Sequence, residues 1–125
     1  MILVDTSIWI DHFRHGDAAL ASRLNSNEVC SHPMVLGELA CGHFKARREI
    51  FALLDALPSA PVATHTEARD FIERHALMGR GIGFVDVHLL AAAALMGDGR
   101  LWTRDKRLAR TADELNLAID PAGGW

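Results

Sequence analysis

Apolar residues recur along this chain in two rhythms, and the alternation between them predicts its elements. Ile2, Leu3 and Val4 form an unbroken, mostly β-branched run, the pattern of a short strand covered on both faces. It stops at Asp5, after which Thr6 and Ser7 offer hydroxyls to cap a helix carrying Ile8, Trp9 and Phe13. Residues 17–24 predict a second short helix and 28–31 a strand. Pro33, favoured in a first helical turn, opens a helix to about residue 44, and 45–57 predict another, closed by Pro58. A strand at 60–63 precedes Thr64, which with Glu67 makes a capping-box pattern for a helix to about residue 77. Gly79, Gly81 and Gly83 interrupt the pattern before a long apolar helix at 85–96, stopped by Gly97 and Gly99. Strand, helix and strand follow at 101–103, 105–114 and 117–119. Short apolar strands alternating with helices imply an α/β domain: a mainly parallel sheet of four or five strands with helices on both faces. Ligands of such sheets gather beyond the carboxyl ends of the strands.

Composition narrows this picture. With 125 residues, half of them hydrophobic, and a net charge of −3, the chain suits one folded domain and excludes disorder. The charge supplies no global attraction for a polyanion, so nucleic-acid binding requires a local patch. The longest apolar run, residues 89–96, falls far short of the ~20 residues of a membrane span. The start lacks the basic segment and cleavage site of a signal peptide, and two cysteines make no disulfide framework. The expectation is a cytoplasmic domain over residues 1–120 with a loose tail at 121–125.

Most carboxylates lie in polar surroundings; Asp11 and Asp17, for example, read as solvated helix faces or turns. Three others, Asp5, Glu38 and Asp86, stand apart, and Asp105, structural when read alone, joins them when the acids are read together. Asp5 ends the first apolar strand, and capping is its structural alternative. Glu38 is the only charge in the stretch 34–42, with Met34, Val35, Cys41 and Gly42 as its helical neighbours, so a buried or half-buried carboxylate is expected. Gly37 beside it suggests close packing or room for a ligand. Asp86 opens the most apolar helix, and Asp105 the helix after the 101–103 strand, where each also suits a cap. Four carboxylates at strand ends and helix starts repel one another unless protonated or neutralised by a cation. Oxygen-only ligation selects Mg²⁺ or Mn²⁺ over zinc, with some acids acting through water. Such a site activates a water, orients a phosphodiester and stabilises its leaving oxygen.

These residues resemble a known family. Ile2-Leu3-Val4-Asp5-Thr6-Ser7 with Trp9, then Glu38-Leu39, then Gly83-Phe84-Val85-Asp86, then Trp102-Thr103-Arg104-Asp105, are similar in order and spacing to the PIN-domain ribonucleases, and more narrowly to the VapC toxins of toxin–antitoxin pairs. The resemblance spans nearly the whole chain. It implies a PIN-like three-layer sandwich whose acidic quartet is Asp5, Glu38, Asp86 and Asp105, with Thr6 or Thr103 as a hydroxyl that orients a water or phosphate. It further implies a Mg²⁺- or Mn²⁺-dependent endoribonuclease leaving 5′-phosphate and 3′-hydroxyl ends, a homodimer, and a small antitoxin occupying the active-site groove.

Residues 98–110 hold five cations against two anions. Arg104, Lys106, Arg107 and Arg110 are therefore candidate phosphate contacts, with an ordinary solvated helix as the alternative. Lys45, Arg47 and Arg48 form a second basic group. The absence of tyrosine argues against a base-stacking platform and for recognition of the backbone and shape of a structured RNA. Rival readings are weaker. Cys30-Ser-His32 and Cys41-Gly-His43 repeat a spacing that departs from zinc modules, the bland alternative being buried cysteines and surface histidines. A metal-free ribonuclease built on two of the seven histidines would survive EDTA. A phosphatase of the haloacid-dehalogenase type needs a second Asp where Ser7 stands. A catalytically inactive PIN-like domain that binds RNA or protein is the main alternative of a different class.

Overall fold

The computed structural model describes residues 1–119, so the expectation for a loose tail at 121–125 lies outside the described residues. Three parallel strands, β1 (Ile2–Val4), β2 (Val29–Cys30) and β3 (Arg100–Trp102), form a sheet in the order β2-β1-β3. Seven helices accompany them among the described residues: α1 (Thr6–His15), α2 (Ala18–Asn25), α3 (Pro33–Ala40), α4 (Arg47–Asp55), α5 (His65–His75), α6 (Phe84–Leu95) and α7 (Lys106–Glu114). Ile2, Leu3 and Val4 are all 0% exposed. Because successive strand residues point to opposite faces, both faces of the sheet are covered, as an all-parallel sheet demands.

The two outermost predicted strands are reduced to single parallel bridges. Ser59 pairs with Ser31 beyond β2, and Ala118 pairs with Leu101 beyond β3, so the sheet is five segments wide but only three strands strong. Prolines explain the first edge. Pro58 and Pro61 flank Ser59 and Ala60 and have no N–H to extend the ladder, which leaves Ser31 N–H to Pro58 O at 2.8 Å and Ala60 N–H to Ser31 O at 2.7 Å.

The helix run predicted to residue 44 ends at Ala40, with Cys41 as its C-cap. Arg47 covers that end. Its guanidinium donates to Gly42 O at 2.9 Å and Ala40 O at 2.6 Å while lying over the rings of Phe44 and Phe51. Within the second basic group, Arg47 therefore has a structural role. The Thr64–Glu67 capping box forms as expected, with reciprocal bonds of 3.1 and 2.9 Å. Among the described residues no helix is long and apolar enough to cross a membrane.

A buried histidine holds the start of α3. His32 is 0% exposed, and its Nδ1 accepts from Met34 N–H at 3.1 Å, so the neutral ring carries its proton on Nε2, an atom with no hydrogen-bond partner among the described residues. Burial, reinforced by nearby His88, lowers its pKa below the ordinary 6.5. A lowered histidine pKa means that its contribution to stability is complete above about 6.5 and is lost as the pH falls towards the folded value. His32→Asn keeps a capping acceptor but cannot titrate. Its melting temperature is expected to fall less between pH 7 and pH 5 than that of the wild type; equal slopes would remove His32 from the acid sensitivity.

Candidate active site

Parallel strands deliver their carboxyl ends to one edge, and the chain places its acids there. Asp5 follows β1 and Thr103 follows β3. The Asp5 N–H donates to Trp102 O at 2.9 Å, which sets the two exit segments side by side. Asp5 is buried and is itself the N-cap of α1, the place that the sequence offered to Thr6 and Ser7. Its Oδ1 accepts from Thr6 N–H at 2.8 Å; Oδ2 accepts from the Thr103 hydroxyl at 2.7 Å and more distantly from Ser7 at 3.5 Å. Relieved of capping, the Thr6 hydroxyl donates to Glu38 Oε1 at 2.6 Å and ties α1 to α3.

Glu38 is exposed, contrary to the expectation of a buried or half-buried carboxylate. The buried face of α3 is formed by Val35 and Leu39, and Glu38 lies off it. Close packing at Gly37 is likewise overturned, because a Cβ built there meets nothing within 4 Å. A helical glycine facing open space only weakens its helix. Gly37→Ala is expected to stabilise the protein by about 0.5–1 kcal/mol in chemical denaturation; a loss would reveal a contact at this position.

Asp86 stands three residues past Gly83, the N-cap of α6, and its Oδ2 accepts from Gly83 N–H at 3.1 Å. Gly83 has no side chain to return the bond, so this is half of a capping box. Burial raises the Asp86 pKa. The carboxylates of Asp5, Asp105 and Glu38 raise it further, against the opposing effect of the Gly83 N–H. The other three acids, at the starts of α1 and α7 and on α3, thus lie near enough to act on Asp86. Asp105 is the exposed N-cap of α7, its Oδ1 accepting from the N–H groups of Arg107 at 2.9 Å and Leu108 at 3.0 Å. Its own N–H donates to Thr103 Oγ1 at 3.1 Å, so one hydroxyl links Asp5 with Asp105.

Both oxygens of Asp5 are engaged, whereas hydrogen bonds to one oxygen each of Glu38, Asp86 and Asp105 leave Glu38 Oε2, Asp86 Oδ1 and Asp105 Oδ2 without hydrogen bonds to the described residues. As the side chains lie, no three acidic, imidazole or thiol groups among the described residues form a cage for an ion. The donor set nonetheless fits a hard cation. It is all oxygen, it carries mutual repulsion that a cation relieves, and Mg²⁺ usually takes only one or two carboxylates and keeps several waters. A cavity of about 670 Å³ between α2, β3 and α7 is lined by Thr103 but by none of the four acids.

The cations in and around α7 divide. Arg104 is engaged by Asp11 and Asp17. Arg107 passes beneath Gly81, where an added Cβ would lie 2.8 Å from its Cδ, and Arg80 pairs with Glu114, so α7 supports the glycine loop before Asp86. Lys106 and Arg110 are exposed. The zinc alternative loses its geometry: Cys30 and His32 are buried, whereas Cys41 and His43 are exposed. His88 is also buried, with its ring edge-on to Phe84 at 4.7 Å. Sequence reasoning missed Ser7, Asp11 and Asp17 as supports of the site. The one available signal was that Asp17 directly precedes a helical run and therefore sits at its cap.

The model of the PIN domain family matches residues 2–114. The chain belongs to the PIN family. This PIN domain is similar to Ribonuclease VapC32 of Mycobacterium tuberculosis, at 48% identity over 119 residues in each of two strains, CDC 1551 / Oshkosh and ATCC 25618 / H37Rv. The match covers 95% of this chain and 96% of each relative. Among solved structures, FitAcB from Neisseria gonorrhoeae contains a chain with the same fold, at a TM-score of 0.59 and 19% identity, covering 90% of this chain and 94% of that one.

Proposed function

We propose that this PIN domain is a Mg²⁺- or Mn²⁺-dependent endoribonuclease, the toxin of a toxin–antitoxin pair acting in the cytoplasm. The observation that carries the reading is the hydrogen-bonded set beyond the carboxyl ends of a parallel sheet, Thr103 bridging Asp5 and Asp105 and Thr6 holding Glu38, with Asp86 near enough to feel all three carboxylates. Its 48% identity to a protein named as a ribonuclease supports it. Asp5, Asp86 and Glu38 would hold the cation, with Asp105 joining directly or through water. A hard cation bound there supplies Lewis-acid activation of a water and charge stabilisation of the leaving oxygen.

The chain's own residues do the rest. Thr103 holds the Asp5 carboxyl at a fixed angle, and Thr6 does the same for Glu38. Backbone amides at the starts of α1, α6 and α7 hold the aspartates, so their oxygens need little reorganisation when the substrate arrives. Lys106 and Arg110 are the phosphate contacts of this reading. A second copy of the chain and a small antitoxin complete the assembly.

The test incubates partner-free protein with total RNA in Mg²⁺, Mn²⁺ or EDTA. Discrete fragments with 5′-phosphate ends, absent in EDTA, are the expected result. Millimolar metal is also expected to raise the melting temperature, because an ion that binds only the folded state stabilises it. Cleavage that persists in EDTA would overturn the metal assignment. Absence of both cleavage and a thermal shift would favour an inactive binding domain.

A further inference from the structure

Arg104 stands between Thr103, which holds Asp5, and Asp105, which starts α7, and the three-residue exit from β3 carries two groups of the site. Its position suggests a phosphate contact, but its guanidinium is already occupied. Nε is paired with Asp11 Oδ2 on α1, and an Nη donates to Asp17 Oδ2 at 2.9 Å. Asp17 is itself fixed, as the N-cap of α2, with its other oxygen accepting from Leu20 N–H at 3.0 Å. The Arg104 backbone N–H donates to Ser7 Oγ at 3.3 Å, so side chain and main chain both anchor this one residue to the α1–α2 unit. One cation between two anions leaves the trio with a net charge of −1, which opposes the approach of RNA.

We propose that Arg104 is a positioning residue. Its clasp on Asp11 and Asp17 holds the 103–105 loop against α1 and α2, so that the Thr103 hydroxyl and the Asp105 carboxylate stay aligned on Asp5. The proposal deepens the nuclease reading above and rests on it for its catalytic consequence. Arginine suits the task because a rigid fork satisfies two carboxylates at once, whereas a lysine ammonium is a single point charge. A misplacement of about 1 Å in a positioned group costs up to about 10²-fold in rate, so a small shift of this loop is enough to be measured.

The experiment compares wild type, Arg104→Ala, Arg104→Lys, Asp17→Asn and the Arg104→Ala/Asp17→Asn double variant. It reads amide hydrogen exchange at residues 104 and 105 in metal-free protein, the salt dependence of RNA binding in EDTA, and single-turnover cleavage. Arg104→Ala is expected to speed exchange at both amides by about tenfold and to slow cleavage by about tenfold. The salt slope should stay unchanged. Arg104→Lys should recover only part of either loss, and the double variant should be no worse than the worse single one. A salt slope shallower by roughly 0.7–0.9, with exchange unaltered, would make Arg104 a phosphate contact and overturn the proposal. Unaltered exchange and slope together would reduce the clasp to a surface ion pair and overturn it as well. If the wild type cuts no RNA, the nuclease reading fails, while the exchange result still decides whether Arg104 orders the loop.

Discussion

Asp5→Asn will abolish RNA cleavage and leave the fold intact. The two effects separate because Asp5 does two jobs with two different properties. As the N-cap of α1 it needs only an oxygen facing Thr6 N–H, and asparagine caps helices as well as aspartate does. The Thr103 hydroxyl, which donates to Oδ2, can turn and accept from the new amide while still accepting from Asp105 N–H. What asparagine cannot supply is the negative charge at the edge of the sheet. A loss of about 10²–10³-fold or more is expected, the scale of removing one essential electrostatic contact from a preorganised site. The melting temperature without metal should hold or rise, since one of the three charges that act against the Asp86 carboxylate is gone. Wild-type cleavage by this variant would dismantle the site assignment.

Gly99→Ala is expected to be the most damaging small substitution in the domain. A Cβ built at Gly99 lies 2.4 Å from Ala93 O, a backbone atom of α6, and under 3 Å from Met96. Side chains can turn aside, but a helical carbonyl engaged in its own ladder cannot. The added methyl must therefore wedge α6 away from the start of β3. Overpacking of this kind costs typically 1–3 kcal/mol, and the rigid obstacle places Gly99 towards the upper end. Urea denaturation checks it, and a loss below about 0.5 kcal/mol would mean that this turn yields more easily than a helix–strand contact should. The consequence reaches the site, because α6 carries Asp86 at one end and β3 leads into Thr103.

The three central strands, the helices and the places of Asp5, Asp86 and Asp105 at helix starts were legible because each rests on a local rule. Three apolar residues before Asp5, a Thr–Glu pair four residues wide and glycines around Asp86 all act within a few positions of one another. Glu38 was read from its apolar neighbours as buried or half-buried, and that failed: a short helix has one inward face, and Val35 and Leu39 fill it. The Arg104 clasp was invisible because its anions lie 87 and 93 positions away in sequence and look like ordinary surface charges. The edge strands shrank to bridges for a reason the sequence did carry, in Pro58 and Pro61, but only the pairing shows which N–H groups the ladder lacks.

Three of the four acids cap helices, and this shapes how such a nuclease can be lost over evolutionary time. Replacing Asp5 or Asp105 by alanine silences the chemistry and also uncaps a helix, at about 1 kcal/mol each. Replacement by asparagine or serine silences it and keeps the cap. Lineages that retire the activity but keep the domain for binding are thus channelled towards asparagine and serine at these positions. A silenced descendant should be recognisable by its polar caps rather than by erosion of its core.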